Sequence, residues 1–226
     1  MSGGVAIVAG AGGALGRATA SALAADGFTV VGVDRNERAL DQLPDGIGRQ
    51  VGDTTDPDVA RTLVDRIATE VGAPDVLVNT LGAFDLSDAF STTPEALRLM
   101  VDVNLGAALW LSQAVGAHMQ RRGSGAIVHV SARPGIEPTP GLTAYGVSKA
   151  ALTHLVRSLD LELRPGGIRV NAVAPQLIDT PKNRGFLSED QLAHAVSPEA
   201  IATVIAFLVS DAAAPISGAI LPTYGG

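Results

Sequence analysis

Short apolar runs alternate along the chain with longer segments whose apolar residues recur every three to four positions. The runs fall at 5–9, 29–33, 75–79, 126–131 and 168–173, and each is rich in branched residues and bounded by Gly, Pro or polar positions. Successive side chains of a strand point to opposite faces, so an uninterrupted apolar run predicts a strand buried on both. A weaker run at 47–51 predicts another strand, and 219–222 a last one. The amphipathic segments predict helices at 14–26, 57–71, 94–121, 142–164 and 198–210. Alternating strands and helices predict an α/β fold, a doubly wound parallel sheet of about seven strands with helices on both faces, because right-handed crossovers place them there. No linker, repeat or low-complexity segment interrupts the pattern, so 1–226 reads as one domain. The polar stretch 176–197 lacks a clear period and is the expected lid over a site.

Composition narrows the function. A chain of 226 residues can bury one sizeable core. With 46% apolar and 17% charged residues it has the composition of a folded domain. A net charge of −7 argues against nucleic acid, since binding phosphates needs clustered Lys and Arg. The basic pair Arg121-Arg122 reads as a solvated helix end. The absence of cysteine removes disulfide and thiolate chemistry and suits a reducing cytoplasm. No basic leader precedes the first strand, and no apolar stretch approaches the roughly 20 residues of a membrane span. The expectation is a soluble cytoplasmic protein with a small-molecule substrate. His118, His129, His154 and His194 lack metal-ligand spacing, so no metal is expected and surface or strand-end places are. Trp110 belongs to a helix core or a subunit interface.

The first strand runs into Gly10-Ala11-Gly12-Gly13-Ala14-Leu15-Gly16 and then a helix. Glycines let the backbone turn tightly and approach a pyrophosphate, whose charge a helix N-terminus favours. The second strand ends at Asp34, close to the spacing of about 20 residues expected for an acid that binds an adenosine ribose 2′-hydroxyl. A carboxylate there repels a 2′-phosphate and favours NAD, whereas the adjacent Arg35 could instead greet that phosphate. Tyr145 and Lys149 lie four apart on a predicted helix and so share a face. A positive charge beside a phenol favours phenolate, which would bring Tyr145 toward acid/base work.

With these residues the sequence resembles the short-chain dehydrogenase/reductase family over essentially the whole chain. The glycine loop, Gly52-Asp53-Thr54, Asn79-Thr80-Leu81-Gly82, Val103-Asn104-Leu105, Tyr145/Lys149, Asn171-Ala172-Val173-Ala174-Pro175 and the closing segment 216–226 carry the likeness. It implies a Rossmann-like fold in which Gly10, Gly12, Gly13, Leu15, Gly16, Asp34, Asp53, Thr54, Asn79, Gly82, Pro175 and Thr180 bind the cofactor. Asp53 would bond the adenine, Asn79 would support the backbone beside the cofactor, and the segment from Pro175 to Thr180 would lie against the nicotinamide amide. Tyr145 would be the acid/base. Lys149 would hold the nicotinamide ribose and lower the tyrosine pKa, and Asn104 would hold a relay water. Homo-oligomers, dimeric or tetrameric through the helices at 94–121 and 142–164, follow from the same resemblance.

Three departures stand out. Ala132 occupies the position of the family's catalytic serine; strand alternation would turn the neighbouring Ser131 to the other face, whereas a bulged strand end would let it take over the role. Ala14 replaces a loop glycine, and Gln176 follows Pro175 where glycine is usual, placing an amide beside the nicotinamide pocket. The missing serine is shared with the dihydropteridine reductase branch, which the chain partly resembles at Gly13-Ala14-Leu15-Gly16 and at Asp179-Thr180-Pro181 with Asn183-Arg184. The leading expectation is an NADH-preferring oxidoreductase acting on a small carbonyl, imine or quinonoid substrate. The alternatives are a low-turnover NAD-binding sensor or structural subunit, and a lyase, isomerase or epimerase using bound NAD.

Overall fold

Seven parallel strands form one sheet in the order β3-β2-β1-β4-β5-β6-β7. In the computed structural model, which describes residues 3–225, they are β1 Val5–Ala9, β2 Thr29–Asp34, β3 Gly48–Val51, β4 Pro74–Asn79, β5 Gly125–Val130, β6 Ile168–Pro175 and β7 Ile220–Thr223. Met1, Ser2 and Gly226, and with them the reading of the extreme N-terminus and the end of segment 216–226, lie outside the described residues. All seven predicted strands are present, displaced by no more than two residues at either end.

Alternation along β1 sorts the core. Ala6 and Val8 join Leu23, Val128 and Ile205 on one side, whereas Ile7 joins Leu63, Leu77, Leu111, Ile127 and Val156 on the other. The first side is covered by α1 Ala14–Ala25 and α9 Pro198–Val209. The second is covered by α3 Pro57–Glu70, α5 Ala107–Arg122 and α6 Thr143–Leu163. The ends of the helices are written in the sequence: Asp56 caps α3 by accepting from the backbone N–H of Asp58 and Val59 at 2.8 and 3.2 Å, with Pro57 opening the helix.

The helix predicted over 94–121 has an interruption the pattern did not reveal. α4 Pro94–Val101 and α5 are joined without a break by a wider π-turn at Asp102–Gly106, which contains Asn104. A π-turn inserts one residue without destroying apolar periodicity on either side, and such turns often mark functional positions. The 29-residue run Pro94–Arg122 has the length and composition of a membrane span. Here Met100, Asn104, Leu111 and Met119 along it are buried within the fold. The sequence also missed the four-residue α2 Glu37–Leu40. The expected lid contains two short helices, α7 Pro181–Arg184 and α8 Glu189–Ala193.

Candidate active site

In an open parallel sheet, ligands bind beyond the carboxyl ends of the strands where the strand order reverses. That point lies between β1 and β4, and the glycine loop leaves one strand while Asn79–Gly82 leaves the other. Gly10 turns the chain at φ 78°, and its N–H donates to the Val33 carbonyl at 2.8 Å. A Cβ on Gly16 would fall onto the Gly10 carbonyl oxygen, so only glycine lets α1 approach the loop. A Cβ on Gly12 would stand 2.5 Å from the Ala39 methyl and 2.9 Å from an Asp34 oxygen. Gly13 precedes α1 without any side-chain cap, whereas Asp56, Thr93 and Ser197 cap α3, α4 and α9. The first N–H groups of α1 are therefore left for a ligand, and the cradle fits the pyrophosphate of a dinucleotide. Leu15 is buried against the core, and Ala14, in place of a loop glycine, is the first residue of α1.

Asp34 accepts from the Gly12 N–H at 3.1 Å and from the Asn36 N–H at 3.0 Å, locking the end of β2 to the loop. Arg35 turns to Asp53 at 3.7 Å, with both side chains largely exposed. A cavity of about 120 Å³ opens between them, lined by Asp34, Asp53, Thr54, Leu81 and Gly82 among others. The Thr55 hydroxyl, donating at 2.7 Å, holds Asp53 below its ordinary pKa, and the Thr55 N–H and Arg35 add to this against the effect of burial. Residues expected at the adenine end thus meet around one cavity.

Beneath this edge is a histidine. His129 takes the strand-end place among those expected, next to the last residue of β5, and is wholly enclosed there. Its Nε2 is 3.0 Å from the Ser112 hydroxyl, which itself donates to the Ala108 carbonyl at 2.7 Å. Ser112 must therefore accept from Nε2–H, leaving Nδ1 to accept from the Asn79 amide at 3.4 Å. The Asn79 Oδ1 accepts from the Leu81 N–H at 3.1 Å and so shapes the loop after β4, the support expected of it. Burial first, then the Lys149 charge, lower the His129 pKa to about 3. His118, by contrast, pairs with Asp65 at 2.8 Å on the exterior, and His154 and His194 are exposed.

Tyr145 and Lys149 share one face of α6, as their spacing predicts. The ammonium is 6.0 Å from the phenol ring centroid and donates to the Val130 carbonyl at 2.9 Å. The expected lowering of the tyrosine pKa is corrected by the structure: burial raises Tyr145 to about 12 and lowers Lys149 to about 8. Desolvation outweighs a charge that is directed at a carbonyl rather than at the hydroxyl. Tyr145 therefore holds its proton throughout the neutral range and is set up as a proton donor. Asn104 donates to the Ser148 hydroxyl at 2.9 Å and to the Ala83 carbonyl at 3.1 Å, and accepts from the Ala83 N–H at 2.8 Å. With both amide hydrogens engaged it clamps the loop after β4 onto α6, and a relay water would have only its carbonyl to use. A Cβ on Gly82 would lie 3.4 Å from both Asn104 Oδ1 and Lys149 Nζ, which places that glycine at the centre of the site.

Ser131 does not substitute for the missing serine. Its hydroxyl is buried against α6, 3.0 Å from the Thr153 hydroxyl and 3.3 Å from the Lys149 carbonyl. Pro175 ends β6, and Thr180 caps α7 by accepting from the Asn183 N–H at 3.1 Å. The expected lid is tied at its two ends by a bridge between Ile178 and Val196. Sequence reasoning missed Arg133 and Phe84. Arg133 bonds Glu137 and Gln176 and lies over the Tyr224 ring at 5.0 Å. Phe84 meets Tyr145 edge-on at 5.0 Å. Neither belongs to a spacing motif, and only exposed apolar character next to Gly82 could have drawn attention to Phe84.

The glycine cradle, the acid ending β2 and the tyrosine–lysine pair on α6 define a dinucleotide-binding α/β oxidoreductase. A family model described as enoyl-(acyl carrier protein) reductase matches residues 10–226. Galactitol 2-dehydrogenase of Rhizobium johnstonii is 40% identical, the match covering 98% of this chain and 93% of that protein. Cis-4-hydroxycyclohexanecarboxylate dehydrogenase of Sinomonas cyclohexanicum is 38% identical over 98% of this chain and 95% of its own. The structure of NAD+-bound xylitol dehydrogenase superposes with a TM-score of 0.92 at 26% identity, covering 100% of this chain and 99% of that one. The chain belongs to the short-chain dehydrogenase/reductase family, whose members use a nicotinamide cofactor.

Proposed function

We propose that this protein transfers hydride between NAD(H) and a small carbonyl, imine or quinonoid substrate, with Tyr145 as the acid/base. The observation that carries this reading is the Tyr145–Lys149 pair on one face of α6, half-buried tyrosine over buried lysine, beside a glycine cradle that only backbone could form. Bound in that cradle, a nicotinamide cofactor supplies or accepts the hydride. Gly10, Gly12, Gly13 and Gly16 admit the pyrophosphate to the N-terminus of α1. Asp34 would bond the adenosine ribose and disfavour a 2′-phosphate, Asp53 and Thr54 would border the adenine, and Pro175 and Thr180 would flank the nicotinamide amide. Lys149, set under Gly82, would hold the nicotinamide ribose. Tyr145 protonates the substrate oxygen or nitrogen as hydride arrives, and takes that proton back in the oxidative direction. The reading includes a cytoplasmic homo-oligomer, supported by the exposed Leu97 and Leu99 on α4 and Val147 and Leu161 on α6.

The test is a substrate panel with NADH and NADPH, following loss of nicotinamide absorbance. The names of the two relatives put 4-oxocyclohexanecarboxylate and keto-sugars on it, and a quinonoid pteridine joins them. Turnover that depends on Tyr145 supports the reading, and no oxidation of either cofactor by any member overturns it. Ala132, with Ser131 turned away, is the observation favouring the second reading, a cofactor-binding protein with little turnover. Tight NADH binding together with an inert panel is the result that reading expects.

A further inference from the structure

Ala132 leaves the substrate side without a hydroxyl donor, but another donor stands at the same edge of the sheet. β5 and β6 are paired with Val130 opposite Val173, and the Ser131 N–H donates to the Val173 carbonyl at 2.8 Å. The chains leaving the two strands therefore run side by side, Ala132 and Arg133 on one and Gln176 on the other. The turn Arg133–Gly135 packs on the first turns of α6. A Cβ on Gly135 would lie 2.7 Å from the Lys149 carbonyl oxygen, and one on Gly146 3.4 Å from the Pro134 carbonyl oxygen. Tyr145 thus shares this edge with Gln176.

Chemistry fixes how the amide faces. Arg133 Nη1 donates to Gln176 Oε1 at 3.0 Å. A guanidinium has donors only, so the amide oxygen must face Arg133 and the NH₂ must face away. Arg133 is itself held, with Nε and Nη2 each 2.9 Å from Glu137 Oε2 and its plane over the Tyr224 ring. Gln176 is exposed, and among the described residues no group accepts from its Nε2.

We propose that the Gln176 carboxamide, aimed by Arg133, donates a hydrogen bond to the substrate oxygen in place of the missing serine hydroxyl. This rests on the oxidoreductase reading of the site and narrows its substrate class to carbonyls. Hydride from the reduced nicotinamide adds to the carbonyl carbon, the π pair moves onto oxygen, and the Tyr145 proton completes the alcohol. Gln176 keeps both its protons and stabilises the charge that gathers on that oxygen.

The probe is cyclohexanone, labelled with ¹³C at its carbonyl. Gln176→Glu still accepts from Arg133 but has no NH₂, so it separates donor from tether, whereas Gln176→Ala removes both. Each should lower kcat on the order of a hundredfold, with the NADH Kd measured by fluorescence changed less than about twofold. Ala132→Ser should restore most of the loss in Gln176→Glu, a larger gain than any it gives in the wild type. A second measurement needs no turnover: the infrared stretch of cyclohexanone bound to the NADH complex of Tyr145→Phe. It should lie below that of the free ketone, and Gln176→Glu in that background should return it toward the free value. Wild-type kcat in Gln176→Glu, or the same stretch with Gln and with Glu, overturns the proposal. So does a loss confined to Gln176→Ala, which would make Gln176 a tether. If Tyr145→Phe leaves ketone reduction intact, Tyr145 is not the proton donor, the proposed reading of the site fails and the Gln176 assignment falls with it. A tyrosine-dependent reaction indifferent to Gln176→Glu overturns the Gln176 assignment alone.

Discussion

The two halves of the site are made differently. The cofactor half is made of backbone: a positive-φ glycine, two glycines whose Cβ atoms would collide with neighbours, and uncapped N–H groups at the start of α1. The proposed substrate half is made of side chains from segments far apart in sequence, with Arg133 and Glu137 meeting Gln176 and Tyr224 beyond β5 and β6. A backbone site tolerates one residue type at each close approach and so leaves its spacing in the sequence. A side-chain site can be assembled from many combinations, and its members carry no mark of meeting until the fold brings them together. The difference also separates what fails when each half is changed, and the predictions are ordered by the size of that failure.

The largest effect is expected where the two halves meet. Tyr145→Phe removes one hydroxyl from a half-buried ring, and turnover should fall on the order of a thousandfold. NADH binding by fluorescence titration and the melting temperature should stay near wild type, because the ring still packs edge-on against Phe84. Retained activity would move the proton donor elsewhere. Gly16→Ala probes the backbone half alone. Its Cβ would press on the Gly10 carbonyl, costing about 1–3 kcal/mol and shifting α1 away from the loop. Chemical denaturation should show the lost stability and fluorescence titration a loss of NADH binding. Unchanged binding would show that the cradle is not where the pyrophosphate sits.

That contrast explains what could be read in advance. Strands buried on both faces announce themselves as branched apolar runs, which placed the five central strands, whereas the more exposed edge strands β3 and β7 came from weaker runs. The π-turn at Asn104 could not be placed, since the apolar spacing resumes beyond it with only a change of phase. Tyr145 and Lys149 were placed by their spacing, but the direction of the tyrosine pKa shift was not. It depends on burial and on the Val130 carbonyl that takes up the ammonium. The sequence leaves Ser131 open between alternation, which turns it away, and a bulge, which would return it; in the fold its hydroxyl lies against Thr153. His129 shows the limit of sequence reasoning, since spacing left surface and strand-end places open and could not tell that this strand end is fully enclosed.

His129 underlies both halves, bonded to Asn79 on the cofactor side and sensing the Lys149 charge on the other. Held neutral, it has a pKa near 3 in the folded chain against the ordinary value of 6.5. As pH falls below that ordinary value, the unfolded chain takes up a proton that the folded chain refuses. Stability is therefore lost at up to about 1.4 kcal/mol per pH unit until the folded pKa is reached. His129→Gln removes this dependence. The stability advantage of wild type over the variant in urea should narrow by about 2 kcal/mol between pH 7 and pH 5. A constant difference would mean that His129 is protonated inside the fold, and the hydrogen-bond order from Asn79 to Ser112 would be wrong.

The smallest effect tests whether the cofactor half is backbone alone. Asp34 is the carboxylate that touches the glycine loop, and two roles meet in it. It accepts from the Gly12 N–H, which holds the loop, and in the proposed cofactor pose it would set negative charge against a 2′-phosphate. Asp34→Ala should therefore weaken NADH binding and at the same time improve NADPH relative to NADH, by roughly tenfold or about 1.4 kcal/mol in the ratio of their Kd values. Asp34→Asn separates the two effects, because its amide oxygen can still accept from Gly12 while the charge is gone. If repulsion sets the preference, Asn should shift the ratio as far as Ala does while sparing NADH affinity. Arg35 supplies the opposing argument, since its pairing with Asp53 is long and exposed and could be exchanged for a phosphate. A wild type that binds NADPH as tightly as NADH, and loses that only in Arg35→Ala, would assign the cofactor choice to the arginine and leave Asp34 as a brace for the glycine loop.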